Sequence, residues 1–199
     1  MGNVTSVKSK FFEPQGVDDD KVSASAAAAT LVIADGGPYG NLTETITIKS
    51  AAGNNSGNTF TITGTDGNGD AQTEDVTGPT AGATVNSANK YLTVTSIVSD
   101  GAIVTDIQAG ILGTGALTGT VFAGRTRIRG LTGTSKASAG NVVFKNTSIT
   151  GTSLLTVALT GAVSSMDPYI PDNGVLFKAG AYINLTAADV TGITVFYDG

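Results

Sequence analysis

The 199-residue chain contains no cysteine, histidine or tryptophan. Without cysteine it has neither a disulfide framework nor a thiolate nucleophile. Without histidine it lacks the commonest general base and metal ligand, which excludes a Ser-His triad and the usual zinc sites. Only carboxylate pairs or a lysine base remain as catalytic groups. We therefore expect a protein that is not an enzyme, with no catalytic residues and no cofactor.

Charged residues are also scarce: they make up 14% of the chain, and the net charge is -5. A charge density this low argues against a disordered acidic chain and for compact sheets. The 11 lysines and arginines against 16 acids offer too little basic surface for nucleic-acid binding. The longest nearly apolar run, residues 24–34, is too short to span a bilayer, so we expect no membrane segment.

Threonine and the 27 glycines together make up more than a quarter of the chain. Threonine favours pleated strands, and glycine supplies the turns between them. Apolar residues alternate with threonines in several segments. In "LTETITIK" (42–49) the even positions Leu42, Ile46 and Ile48 are apolar, while the intervening threonines point the other way. This period of two predicts antiparallel strands and an all-β fold.

Short strands punctuated by turns about every 8–12 residues are typical of β-sandwiches. One series of strands precedes the glycine-rich segment 109–119, and a second series follows it. We therefore predict two tandem antiparallel β-sandwich-like domains, an immunoglobulin-like or similar one over residues 30–122 and a small one over 123–199. Residues 1–29 show no sustained period, which predicts an extended N-terminal arm.

Two sequence features are candidates for binding a partner. The first, "KFFEP" (10–14), places Phe11 and Phe12 in an otherwise polar arm, either as a strap over the chain's own core or as an anchor for another subunit. The second, "GRTRIRGL" (124–131), places Arg125, Arg127 and Arg129 on one face of a strand. Those arginines would meet an acidic protein surface or a phosphate, or would guard a solvated edge strand.

Asp66, Asn68 and Asp70 alternate with glycines in the manner of calcium ligands. An EF-hand loop starting at Asp66 would need glycine at its sixth position and glutamate at its twelfth, where Ala71 and Thr77 stand instead. The flanking segments alternate cleanly, and Gly-Asn-Gly is a strong reversal signal. The pattern predicts a hairpin tip and no metal site. A weak calcium site, with Glu74 or Asp75 as outside ligands, is the alternative.

Residues 46–97 resemble a module that recurs in small structural proteins of tailed bacteriophages. The motifs that carry the resemblance are a turn of small residues before "TFTITGTD", the Gly/Asn-rich hairpin, the "QTE" return and "KYLTVTSI". The C-terminal part is similar to a compact phage β domain in the order of "RIRGLTGT", "GTSLLTV", "YIPDNGVLFKAGAYINLT" and "ITVFY". The two similarities together cover residues 30–199.

The resemblance implies a virion structural protein, and we expect a capsid decoration or cement protein on the outer head surface. Its partners would be the major capsid protein or other virion proteins. A homo-oligomer is expected, for example a trimer on threefold-related sites. The alternatives are a phage fibre or tail adaptor and a secreted carbohydrate-binding adhesin. Without tryptophan, an adhesin would have to bind sugar through phenylalanines or through its five tyrosines: Tyr39, Tyr91, Tyr169, Tyr182 and Tyr197.

Overall fold

The computed structural model describes residues 6–171 and 173–199, and within these ranges it contains strands and no helix. The strands pair in several antiparallel sheets, which confirms the prediction of an all-β, sandwich-like fold. In chain order they are β1 Val7–Phe12, β2 Asp18–Ala26, β3 Glu44–Ser50, β4 Thr59–Thr65, β5 Ala71–Thr77, β6 Thr84–Tyr91, β7 Thr93–Ser99, β8 Ile107–Ile111, β9 Ala116–Phe122, β10 Thr126–Ser135, β11 Ala139–Asn146, β12 Thr152–Thr160, β13 Ser165–Met166, β14 Val175–Phe177, β15 Ala181–Thr186 and β16 Val190–Asp198.

The chain forms two compact units. Unit 1 comprises the described residues up to Pro14, Gly40–Leu42 and those from Gly115 to Gly199. It contains a five-stranded sheet with the order β1-β16-β10-β13, in which β14 also pairs with β10, and a four-stranded sheet with the order β12-β11-β15-β9. The apolar side chains of these strands form one buried cluster, whose bulk comes from aromatic and branched residues such as Phe144 and Ile183.

Unit 2 comprises Gln15–Tyr39 and Thr43–Thr114. Its sheets have the orders β2-β8-β3-β6 and β5-β4-β7. Ile46 and Ile48 of β3 and Phe60 of β4 are fully buried in its core cluster. The alternation seen in the sequence therefore marks the inward faces of β3 and β4 correctly. The threonines of β3 are also buried, with Thr47 only 2% exposed, so both faces of that strand are covered rather than one.

Strand β6 departs from regular pairing where it lies beside β3, since the register shifts between Thr45 and Thr47. The Ser87 hydroxyl accepts a hydrogen bond from the Ile46 amide at 2.9 Å. The Glu74 carboxylate accepts hydrogen bonds from the amides of Ala88, at 2.6 Å, and Asn89, at 2.9 Å. Side chains thus satisfy backbone groups that the sheet leaves unpaired.

The predicted N-terminal arm, residues 1–29, needs correction over its described part. Strand β1 pairs with β16 from Val7↔Asp198 to Phe12↔Ile193, and strand β2 pairs with β8. The segment thus supplies an edge strand to each unit. Neither strand was predicted from the sequence. In β1, lysines stand between the apolar residues, and their stems pack while their ammonium groups reach outward. Strand β2 begins with three aspartates, which interrupt the apolar pattern.

The predicted boundary at residues 122 and 123 also differs from the structure. Strand β9 pairs with β15 and belongs to unit 1, so the chain returns to that unit at Gly115. The chain passes from unit 2 to unit 1 in a turn, in which Gly113 has a φ of 64° and Gly115 has a φ of 83°. Such values favour glycine. The glycine-rich segment therefore contains the end of strand β8, a tight turn and the start of strand β9.

Candidate docking surface

The five-stranded sheet of unit 1 exposes apolar side chains on the face opposite its core. Val7 and Phe11 of β1 are 54% and 50% exposed, and Phe196 of the neighbouring strand β16 is 36% exposed. The register places Ser9 beside Phe196 and Phe11 beside Thr194. We call this surface the β1 face and define it by Val7, Ser9, Phe11, Thr132, Thr194 and Phe196.

Glycines lie beneath the two exposed phenylalanines of the β1 face. A Cβ atom at Gly192 would lie 2.7 Å from Cζ of Phe11, and one at Gly130 would lie 3.7 Å from Cδ2 of Phe196. Each ring therefore covers a glycine on a neighbouring strand, as aromatic side chains do where a sheet lacks a side chain to pack. This contact holds Phe11 in place while half of its surface stays accessible.

The structure separates the two phenylalanines that the sequence grouped as candidate partner-binding residues. Phe12 is fully buried and belongs to the core cluster of unit 1. Successive residues of a strand point to opposite sides, so Phe11 lies on the outer face. Phe12 is therefore a core residue, as a strap over the chain's own core would require, and it cannot contact a partner. Only Phe11 stays a predicted docking residue.

The three arginines do not form one free row. Arg125 precedes β10 and is exposed, whereas Arg127 and Arg129 lie within the strand. The Arg127 guanidinium donates a hydrogen bond to the Asn173 carbonyl at 2.9 Å. Arg129 occupies the bulge between Ile128 and Gly130, and its Nε lies 3.8 Å from Oδ2 of Asp198. Contacts with Asn173 and Asp198 therefore hold Arg127 and Arg129. The role of the three arginines in partner binding stays a prediction.

Two lysines of β1, Lys8 and Lys10, lie on the side of the strand opposite the β1 face. The Lys10 ammonium donates a hydrogen bond to the Thr120 carbonyl at 2.7 Å and lies 5.6 Å from the ring centre of Phe12. Burial lowers the pKa of Lys10. The Lys8 ammonium lies 5.7 Å from the ring centre of Phe122. Both lysines thus pack on aromatic rings on the side of β1 opposite Phe11.

The Asp66–Asp70 segment is the turn of the β4–β5 hairpin, which pairs from Thr59↔Thr77 to Thr65↔Ala71. One carboxylate oxygen of Asp66 accepts hydrogen bonds from the amides of Asn68, at 2.8 Å, and Asp70, at 2.9 Å. The other accepts from the Asn68 side chain at 3.0 Å. The Asp66 carboxylate therefore organises the turn, and no cluster of three metal-binding side chains occurs within the described residues.

Glu44 was not among the functional residues predicted from the sequence. Its side chain is fully buried in unit 2, and no donor among the described residues reaches either carboxyl oxygen with hydrogen-bond geometry. Burial raises the pKa of Glu44 to about 7, against the opposing effects of Lys90 and the nearby backbone amides of Gly113 and Gln15. Its even position among Leu42, Ile46 and Ile48 was the signal available in the sequence.

The five tyrosines offer little surface for stacking a sugar. Tyr39, Tyr91 and Tyr182 are buried, and Tyr197 is half-buried and lies 5.8 Å from the Phe122 ring. Tyr169 alone among them is largely exposed, at 84%. The exposed phenylalanines, Phe11 and Phe196, both lie on the β1 face, whereas a single largely exposed tyrosine does not form a stacking platform.

Comparison with protein-family models, with curated proteins and with solved structures finds no match to this chain. Among the described residues, no helix is long and apolar enough to cross a membrane. Any functional assignment therefore depends on the geometry of the two units and on the resemblance noted in the sequence.

Proposed function

We propose that this chain is a non-enzymatic structural protein of a tailed-phage virion, a capsid decoration protein bound to the outer head surface. It would act by binding energy alone, with the β1 face of unit 1 in contact with the major capsid protein or another virion protein. The observation that carries the proposal is the exposed β1 face, because an apolar surface on an edge strand is where a sheet accepts a partner.

The charge distribution supports the choice of unit 1 as the docking unit. Unit 1 carries eight lysines and arginines against five acids, a net charge of +3, and unit 2 carries three against eleven, a net charge of -8. An acidic partner would be attracted to unit 1 and repelled by unit 2, which would then project from the particle. A homo-oligomer would repeat this contact at each subunit.

The test is to locate the protein in gradient-purified particles of the phage that carries the gene. Immunogold labelling is expected to mark the head surface, and an electron-microscopy map of the particles is expected to show density for both units there. Labelling confined to the tail would support a fibre or tail adaptor instead. Absence from the particles, together with selective binding on a glycan array, would support a secreted adhesin and overturn the proposal.

A further inference from the structure

We propose that the free edge of strand β1 binds an extended, acidic segment of a partner protein, which joins the five-stranded sheet as an additional strand. The inference names the binding mode of the proposed structural role, and it rests on that role for the identity of the partner. The chemistry of the edge itself specifies the segment: main-chain hydrogen bonds to Val7, Ser9 and the Phe11 amide, small or apolar side chains on one side and carboxylates on the other.

Two hydrogen bonds show which backbone groups of β1 point away from β16. The Glu13 amide donates to the Gly40 carbonyl at 3.0 Å, and the Phe11 carbonyl accepts from the Asn41 side chain at 2.9 Å. Because the direction of backbone groups alternates along a strand, the amides and carbonyls of Val7 and Ser9 also face outward. Within the described part of the chain, β16 is the strand that pairs with β1, and no other backbone hydrogen bond reaches Val7 or Ser9.

The side chains along this edge alternate in the way that strand addition requires. Val7, Ser9 and Phe11 lie on the exposed β1 face, and Lys8 and Lys10 lie on the opposite side. A partner strand would therefore contact an apolar and hydroxyl-bearing row on one side and two lysines on the other, of which Lys8 is exposed and Lys10 also donates to the Thr120 carbonyl. Main-chain pairing would supply affinity, and the two side-chain rows would supply specificity.

The lysines also disfavour a second copy of β1 in the registers that pair most of the strand, which are centred on Lys8, Ser9 or Lys10. Directly opposite residues in an antiparallel pair must both direct their backbone groups toward the partner strand or both away from it. A symmetric pair centred on Ser9 sets Lys8 opposite Lys10 twice. A pair centred on Lys8 or on Lys10 sets that lysine opposite its own copy. Like charges in opposite positions destabilise a strand pair, whereas opposite charges stabilise it, so the edge selects carboxylates.

The probe is the blocked peptide Thr-Val-Glu-Thr-Glu-Val-Thr, which in antiparallel register sets its glutamates opposite Lys8 and Lys10 and its valines opposite Val7 and Phe11. Its matched control, Thr-Val-Lys-Thr-Lys-Val-Thr, has the same backbone and reversed charge. Titration of the full chain, followed by NMR, is expected to shift the amide signals of Val7, Ser9 and Phe11. We expect the acidic peptide to bind about tenfold more tightly, because its glutamates lie opposite Lys8 and Lys10, where the control peptide places like charges.

Ser9→Pro tests the backbone contact directly. It removes an outward amide that makes no bond to β16, and proline is tolerated at such positions of edge strands, so the fold is expected to survive while peptide binding is lost. Ser9→Ala, which keeps the amide, is expected to bind like the native chain. Lys8→Glu is expected to abolish the preference for the acidic peptide. Equal binding of both peptides, no shift of the β1 signals, or full binding by a folded Ser9→Pro variant would each overturn the inference.

The two proposals fail in different ways. If the native protein decorates particles and the folded Ser9→Pro variant decorates them equally well, the virion role stands and strand addition at β1 is wrong. If the peptide binds as expected but the protein is absent from particles, the edge is an acidic-strand site and the virion role is wrong.

Discussion

The two units share an all-β construction but differ in where they place their polar groups. Among the residues that the structure describes, nine of the twelve buried polar ones lie in unit 2, from Ser23 to Ser99, and three lie in unit 1: Thr126, Ser135 and Asp189. The net charges are also opposite, +3 for unit 1 and -8 for unit 2. Unit 1 thus combines a mostly apolar interior with a basic, partly apolar exterior, whereas unit 2 buries more polar groups, among them the fully buried Glu44.

This difference indicates a division of roles. A core that is mostly apolar responds to lost volume, because packing is its main source of stability. A core with a buried carboxyl responds to pH, because the charged form is costly to bury. Substitutions chosen to act through packing, through ionisation or through a turn should therefore affect the two units unequally.

The largest expected effect concerns Phe12 in unit 1. We expect Phe12→Ala to lower the free energy of unfolding of unit 1 by about 3–5 kcal/mol, since it leaves a cavity in a closed core. Phe11→Ala is the matched control: it removes the same ring from the outer face and should cost no more than about 1 kcal/mol, from its contact over Gly192. Hydrogen exchange of individual amides measures each unit by itself.

Equal destabilisation by the two variants would mean that the strand does not distinguish its faces in solution. Loss of protection mainly in unit 2 after Phe12→Ala would contradict the assignment of β1 to unit 1. The same experiment separates the two interpretations that the sequence left open, because a strap residue contributes to stability and a docking anchor does not.

The second-largest expected effect concerns the ionisation of Glu44 in the core of unit 2. Its folded pKa of about 7 lies above 4.5, the ordinary pKa of a glutamate. Below both pKa values the Glu44 carboxyl is neutral in the folded and in the unfolded state, so its burial does not lower the free energy of unfolding through ionisation. As pH rises from 4.5 to 7 the unfolded state ionises first, so unit 2 loses up to about 3 kcal/mol. Glu44→Gln should therefore match the native stability near pH 4 and exceed it near pH 8.

Denaturant unfolding of both proteins across this pH range, followed by amide exchange in unit 2, measures the effect. Asp106→Asn is a useful control because it removes one negative charge from an exposed position of the same unit. Parallel stability curves for the native chain and Glu44→Gln would show that the carboxyl finds a partner in solution. A gain of stability in unit 1 would contradict the location of the effect.

The sequence predicted the fold where apolar residues alternate with threonine, and failed where charge interrupts the pattern. The alternating segment 42–49, for example, contains most of strand β3, which spans Glu44–Ser50. Strand β1 was missed because Lys8 and Lys10 occupy its inward side, where only packing against Phe122 and Phe12 explains them. Strand β2 was missed because its aspartates and small residues leave Val22 as its main buried side chain.

The candidate site was predictable in part for the same reason. Phe11 and the arginines were visible as residue types, but their exposure depends on which face the register turns outward. The position of Phe196 could have been predicted from the sequence, since Ile193, Val195 and Tyr197 define one face of β16 and leave Phe196 on the other. That β1 has a free edge depends on pairing between residues nearly two hundred positions apart, which a local pattern cannot report.

The smallest expected effect concerns Asp66, in the turn of the β4–β5 hairpin of unit 2. Asp66→Ala should lower the stability of unit 2 by about 1–2 kcal/mol, because two backbone amides of the turn lose their acceptor. Asp70→Ala is the matched control, since Asp70 takes part in the turn through its backbone amide and carbonyl. Both differences are expected to be the same in calcium and in a chelator. A melting temperature that rises with calcium in the native chain, but not in Asp66→Ala, would show that the carboxylates serve a cation, and unit 2 would then be a metal-binding unit and not merely the more acidic of two structural ones.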